Sequence, residues 1–405
     1  MCGFLVYKKS GNNFYIQKRG TEFTNQIKIN GFTFVHNLLS VTGKFTPQPF
    51  INGDIVCVYN GEIYNHKFTN SDGENIIPLY KKYGTEFPKY LDGEWAIALY
   101  DFDKKLVIFT TDLFATKPLW VNGLECASYQ SGIGGEKMPA NTILVLDLES
   151  KIKERKNIYN WDLRQHKKSY DDWIRAFENA VKKRAVENCF IGLSCGYDSG
   201  AIACALLKLK IPFKAYIVKG KEDEKILKKR IKLLSEYEYL DESTDFSEEK
   251  DWLNKNVEPF RYKINQTVHT DSASLALSRI CKMARSESRK VYLSGQGGDE
   301  IIGDYALKPH QSQFRGKFPK KIPLKLWKNF YDGYQYSYLG KEEYVAGSHC
   351  VETRYPFLDK QVVQEFLWLA VELKNKHYKA PIREYLLKNN FPNLFDKKIG
   401  LSVKV

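Results

Sequence analysis

The sequence predicts a two-part chain, a β-rich first domain followed by an α/β second domain built on a parallel sheet. Three observations predict it. Short apolar segments separated by Gly-Asn, Asn-Gly and Asp-Gly breaks run to about residue 150. A polar, highly charged stretch at 151–168 then reads as a linker. Beyond it the order is helix, strand, small-residue loop, helix, strand, the order of a parallel sheet. The 405 residues leave room for more than one core, since a domain takes roughly 150 residues. A hydrophobic content of 43% excludes a disordered chain. No apolar run approaches the ~18 residues that a membrane span requires.

The elements follow in order. In the first domain the apolar segments 31–40, 54–59, 94–100, 106–110 and 142–146 read as antiparallel strands. One helix, 74–82, interrupts them, preceded by Ser71-Asp72-Gly73-Glu74, residues that a helix start prefers. In the second domain Trp173, Phe177, Ala180 and Val181 give helical spacing to 171–187. The run 189–193 is a strand, 200–208 a helix and 214–218 the next strand. The division expected is 1–160 and 161–405.

Lys+Arg 62 against Asp+Glu 48 gives a net charge of +14. That excess admits a polyanion partner, but a solvated lysine-rich surface accounts for it more simply, and nucleic acid is not expected. The 8 cysteines form no C-x-x-C pair, and most stand in apolar runs. They read as buried reduced thiols rather than a disulfide frame or zinc site. With no signal-peptide pattern at the N-terminus, a cytoplasmic location is expected. Cys2 is the exception, because it stands where burial for packing is least expected.

Loss of Met1 is expected before so small a side chain, and it would leave Cys2 with a free α-amino group. Such an amine has a pKa near ~7.7–8.0 and can serve as the thiol's own base. In Val58-Tyr59-Asn60-Gly61-Glu62-Ile63-Tyr64-Asn65 an apolar strand leads into Asn-Gly. The Asn amide and the following backbone N–H are the donors an oxyanion hole requires. Further on, Leu193-Ser194-Cys195-Gly196-Tyr197-Asp198-Ser199 follows a strand and opens a helix. Small residues at a helix N-terminus suit phosphate, Asp198 suits magnesium, and the absent G-K-[ST] excludes a Walker loop.

These segments resemble the class II, N-terminal nucleophile glutamine amidotransferases, in particular the glutamine-hydrolysing asparagine synthetase family. The resemblance rests on Met1-Cys2-Gly3, on Asn60-Gly61-Glu62-Ile63-Tyr64-Asn65, on Ser71-Asp72-Gly73-Glu74, on 91–101 and on 112–119. In the second domain it rests on 193–199, on Leu293-Ser294-Gly295-Gln296-Gly297-Gly298-Asp299-Glu300, on Val351-Glu352-Thr353-Arg354-Tyr355-Pro356-Phe357-Leu358-Asp359, on 379–383 and on 397–402. It implies an α+β N-terminal nucleophile domain, an αββα sandwich acting as glutaminase. An α/β domain of the ATP-pyrophosphatase type, like the adenine nucleotide alpha hydrolases, would follow it.

By this resemblance Cys2 attacks the side-chain amide of glutamine, and Asn60 with Gly61 stabilises the oxyanion. Asn60, Gly61, Glu62 and Asp72 bind the glutamine. Leu193, Ser194, Gly196, Asp198, Ser199, Val218, Ser294 and Gly295 bind ATP, Asp198 and Asp299 hold Mg2+, and Lys379 stabilises charge at the attacked α-phosphate. Glu352 is the candidate to take the proton from incoming ammonia, because Gln296 stands where the family has Glu. Leu38 replaces the family's Arg that clamps the glutamine α-carboxylate, and Thr111 stands for Arg before Asp112.

The function implied is glutamine-dependent, ATP-dependent amidation, with aspartate the default acceptor and AMP and pyrophosphate released. A homodimer is compatible with it. An enzyme amidating a different carboxylate, in a sugar, peptide or other metabolite, is the alternative. A polyanion-binding protein on a lapsed scaffold is a more distant one.

Overall fold

A computed structural model describes residues 2–218, 223–240, 245–259, 261–263, 266–308 and 310–395. The motif 397–402 lies outside them. The chain forms two compact units. One gathers Met1–Asn160 with Asn254–Glu258 and Glu343–Glu352; the other holds Trp161–Leu253, Pro259–Glu342 and Thr353–Val405.

The first unit contains two six-stranded sheets. One runs in the order Glu136–Lys137, Trp120–Asn122, Glu125–Ala127, Gly3–Tyr7, Phe32–Leu38, Phe23–Ile29. The other runs Ile152–Asn157, Thr142–Asp147, Leu106–Thr111, Gly93–Asp101, Ile55–Ile63, Phe50–Asn52. Neighbouring strands pair antiparallel. Phe4, Val6 and Phe34 of the first sheet share one core with Val56, Val58, Ala96, Ala98 and Phe109 of the second. Alternation along a strand explains this, since residues two apart face the same way. Continuing that alternation puts Cys2 in phase with Phe4 and Val6, and Asn60 in phase with Val56 and Val58. The period that builds the core therefore brings both to the inner faces of the sheets.

Two expectations change. The first third of the stretch read as a linker is the strand Ile152–Asn157, paired with Thr142–Asp147 at the edge of its sheet. Its Lys, Glu and Arg side chains are mostly exposed, which suits an edge strand because charge there discourages further pairing. The helix expected at 74–82 opens as a 3-10 turn, Asp72–Asn75, and becomes α-helical at Ile76–Tyr83. The buried Asp72 is thereby held by backbone rather than exposed in a first helical turn.

In the second unit a five-stranded sheet runs Tyr237–Leu240, Lys214–Val218, Phe190–Gly192, Val291–Leu293, Glu352–Arg354. The first three neighbouring pairs are parallel. The helix Asp171–Arg184 buries Trp173, Phe177, Ala180 and Val181, the residues whose spacing predicts it. The helix Tyr197–Lys208 begins directly after the small-residue loop, at the carboxyl end of Phe190–Gly192. Ligands of open α/β sheets bind outside such strand ends.

Candidate active sites

In the first unit a cleft open to solvent is lined by Cys2, Gly61, Glu62, Asp72 and Leu38 among others. Asn60 is fully buried beside it. Its Oδ1 accepts a hydrogen bond from the Cys2 nitrogen at 3.0 Å, while its Nδ2 is buried with no hydrogen-bond partner. A buried amide N–H left without an acceptor is costly, and this one belongs to the side chain that holds the cysteine. The Asn-Gly pair is not a hairpin turn, since the strand Ile55–Ile63 runs straight through it. A Cβ at position 61 would stand 1.9 Å from the Glu94 carbonyl oxygen, so only glycine lets the two strands pair there.

Cys2 Sγ lies 3.8 Å from the Leu39 carbonyl. Burial pushes the thiol pKa up, opposed by the positive chain terminus and reinforced by the Glu352 and Asp72 carboxylates. A thiol so placed needs a base. Asp72 Oδ2 accepts from the Tyr59 hydroxyl at 2.5 Å and from the Ile63 amide at 2.7 Å; burial nonetheless raises its pKa. Glu352, expected to serve ammonia at the synthetase, lines the Cys2 cleft and is 1% exposed. It adds a third carboxylate to Glu62 and Asp72.

Behind the nucleophile lies a buried charge cluster that the sequence does not reveal. Arg19, fully buried, donates through Nε to the Cys2 carbonyl at 3.0 Å and through Nη2 to Glu343 Oε2 at 2.7 Å. Lys117 Nζ meets Glu343 Oε1 at 2.9 Å and Glu94 Oε2 at 3.6 Å. Arg19 also donates to the Tyr129 hydroxyl at 2.7 Å. The cluster fixes the peptide that carries the thiol, through residues far apart in the chain.

In the second unit the loop Ser194–Ser199 is tied to itself. The Ser194 and Ser199 hydroxyls share a hydrogen bond of 2.9 Å, and Gly196 N donates to Ser194 Oγ at 3.1 Å. Arg230, buried beneath, donates through Nη1 to the Ser194 carbonyl and to the Gly196 carbonyl, the latter at 3.0 Å. In a trans peptide the C=O and the next N–H point oppositely. Holding those carbonyls from below therefore turns the N–H groups of Cys195 and Tyr197 to the other side. Cys195, where the family has Gly, sends its thiol to the carbonyl of Asp223 at 3.1 Å, the residue that caps the helix Glu224–Ile231.

Asp198 and Asp299 meet around the Lys379 ammonium. Lys379 Nζ lies 2.7 and 2.6 Å from the two Asp198 oxygens and 2.8 Å from Asp299 Oδ1. Burial opposes its charge, but the two carboxylates hold its pKa well above the ordinary lysine value. Tyr378 donates to Asp299 Oδ1 at 2.6 Å. A Cβ at Gly298 would fall 2.3 Å from Asp198 Oδ1, so the glycine loop packs directly on this carboxylate. No cluster of three or more metal-ligating side chains occurs among the described residues. Two carboxylates do suit magnesium, which is commonly held by one or two of them together with substrate phosphates and water. Ser294 Oγ donates to Glu342 at 2.6 Å and accepts from Gln296 N at 3.1 Å. Gln296 Nε2 is buried with no hydrogen-bond partner. Leu193, one residue past the strand Phe190–Gly192, and Val218, the last residue of the neighbouring strand Lys214–Val218, are both buried.

Residues 9–143 match the family of glutamine amidotransferase domains, and residues 172–344 match asparagine synthase. The human glutamine-hydrolysing asparagine synthetase is 27% identical over 455 residues, covering 95% of this chain and 78% of the human one. The nodule enzyme of Pisum sativum is 26% identical over 417 residues, covering 93% and 70%. A Methanocaldococcus jannaschii protein named for the same activity is 29% identical over 403 residues, covering 85% and 71%. The chain combines a glutamine amidotransferase domain with an asparagine synthase domain and is similar to the glutamine-hydrolysing asparagine synthetases along most of its length. Within that family frame the structure brings Cys2, Asn60, Gly61, Glu62 and Asp72 to one cleft, and Asp198, Asp299 and Lys379 to one cluster. Arg19, Glu343 and Arg230 were missed by sequence reasoning because no motif or period marks them. Among the described residues no helix is long and apolar enough to cross a membrane.

Proposed function

We propose that this protein is a glutamine-dependent, ATP-consuming synthetase that converts aspartate to asparagine, with 1–160 as the glutaminase and the α/β unit as the synthetase. The observation that carries the reading is Asn60, which holds the Cys2 nitrogen with one end of its amide and keeps the other end's N–H buried and unsatisfied.

After loss of Met1, the Cys2 α-amine takes the thiol proton as Sγ attacks the glutamine side-chain carbon. Asn60 Nδ2 and the Gly61 N–H receive the oxyanion, and the unmet hydrogen bond of Asn60 is made only then. Ammonia leaves with the proton, and water cleaves the thioester to glutamate. Glu62, Asp72 and Glu352 face the substrate's α-ammonium.

In the second unit Ser194, Gly196, Ser199 and the N-terminus of the helix Tyr197–Lys208 receive ATP phosphates, while Leu193 and Val218 flank the adenine. Ser294 and Gly295 contact the nucleotide. Asp198 and Asp299 would hold magnesium, which when bound neutralises phosphate charge. The acceptor carboxylate attacks the α-phosphate and pyrophosphate leaves. Lys379 stabilises the charge at that phosphate as it builds. Ammonia then displaces AMP to form the amide. A dimeric, cytoplasmic enzyme accords with this reading.

The test is mass spectrometry of products formed from glutamine, ATP, magnesium and aspartate. Equimolar asparagine, glutamate, AMP and pyrophosphate are expected. AMP release that aspartate does not stimulate, but that another carboxylic acid does, overturns aspartate as the acceptor. No AMP with any acid overturns the synthetase itself.

A further inference from the structure

We infer that Lys44 is the residue that binds the α-carboxylate of the amide donor in the Cys2 cleft, and so determines that the cleft takes a free amino acid. The inference rests on the reading of this cleft as the glutamine site.

The charge balance of the cleft leads to it. Its walls carry three carboxylates, Glu62, Asp72 and Glu352, and one cationic side chain, Lys44. A free α-amino acid brings an ammonium, which the carboxylates satisfy, and a carboxylate, which they repel. An anion enters such a cleft only if a cation is in reach, because a desolvated charge without a partner is costly. Position 38, which also lines the cleft, is a leucine only 5% exposed, and it offers an anion nothing.

The backbone around Lys44 is fixed where that task requires it. Lys44 N donates to the Asn70 carbonyl at 2.7 Å, and the Thr46 hydroxyl donates to the Lys44 carbonyl at 3.0 Å. Gly43 has φ of +81°, and a Cβ there would stand 2.1 Å from the Asn70 oxygen. The segment is therefore pressed against the turn that delivers Ser71 and Asp72 to the cleft. Asn70 is in turn held by Glu74, through its amide N at 3.2 Å and its side chain at 2.7 Å. The Lys44 ammonium itself makes no hydrogen bond or ion pair among the described residues. A rigid backbone with an uncommitted ammonium on a flexible stem is suited to meet an incoming carboxylate as a point charge.

The experiment measures glutamine hydrolysis by the full chain and its Lys44→Met, Lys44→Arg and Lys44→Met/Leu38→Arg variants, with ammonia-driven AMP formation as a control for folding. Lys44→Met is expected to raise KM for glutamine about 10- to 100-fold, the worth of one hydrogen bond to a charged group, with kcat within a few-fold. Lys44→Arg should stay near wild type. Leu38→Arg, adding a guanidinium to the lining of the same cleft, should recover most of the loss. Glutamine with its α-carboxylate converted to an amide should bind wild type and Lys44→Met alike. An unchanged KM in Lys44→Met, with ammonia-driven activity intact, overturns the assignment of Lys44. A wild-type protein whose glutamine hydrolysis survives Cys2→Ala overturns instead the reading of the cleft on which it rests.

Discussion

The two candidate sites handle unmet polarity in opposite ways. In the Cys2 cleft a donor stands ready: Asn60 Nδ2 is buried and unsatisfied before any substrate arrives. Around Lys379 the charges are already paired, since its ammonium contacts both Asp198 and Asp299 within 2.8 Å. The first site is complete in advance and waits for charge to develop. In the function proposed the second needs its ligands to finish it, because phosphate and magnesium would compete for groups that now satisfy one another. A chemistry that creates one transient oxyanion suits the first arrangement. One that must admit a polyanion and a dication together suits the second, since three uncompensated charges in a partly buried pocket would be costly.

That comparison can be broken. Replacing Lys379 by Met should reduce AMP formation by about 10³-fold or more, the range found when a cation at a transferring phosphoryl group is lost, while glutamine hydrolysis continues. The same variant should bind Mn2+ more tightly without nucleotide, because Asp198 and Asp299 lose the lysine that competes for them; calorimetry with Mn2+ checks it, and weaker binding would contradict the competition argued above. Arg19→Met leaves Glu343 without the buried guanidinium that pairs with it and should cost about 3–5 kcal/mol, read from urea unfolding, together with slower glutamine hydrolysis as the Cys2 carbonyl is released. Asn60→Ala should lower kcat for glutamine hydrolysis about 10²- to 10³-fold with little change in KM. A large rise in KM instead would show that Asn60 binds the ground state.

The smallest effect concerns pH. His36 is fully buried, and burial lowers its pKa to about 3, against ~6.5 in an unfolded chain. On acidification the unfolded state takes the proton first. Stability is therefore complete above about pH 6.5 and falls as pH drops from there towards 3, by at most ~1.4 kcal/mol per pH unit. Urea midpoints between pH 7 and 5 should decline less steeply in a His36→Gln variant.

Much of this was legible in the sequence, and the reason is locality. The alternation that puts Phe4, Val6, Val56 and Val58 into the core also sets the phase of Cys2 and Asn60. The loop Ser194–Ser199 carries its own hydrogen bonds within six residues. The charged stretch after residue 150 misled because an edge strand and a linker have the same composition; only its partner Thr142–Asp147 separates them.

The sequence by itself determined the two sheet-bearing parts, the nucleophile with its Asn-Gly partner, and the small-residue loop, because short-range geometry builds each of them. Only the tertiary structure decided what surrounds them. Arg19 reaches Glu343 across 324 positions, and Arg230 supports a loop 34 positions away. Lys44 and Glu352 come to the wall of the same cleft. A lone charged residue gives no period or turn by which to be found. Its role comes from the partner that folding places beside it, and burial then makes that partnership strong.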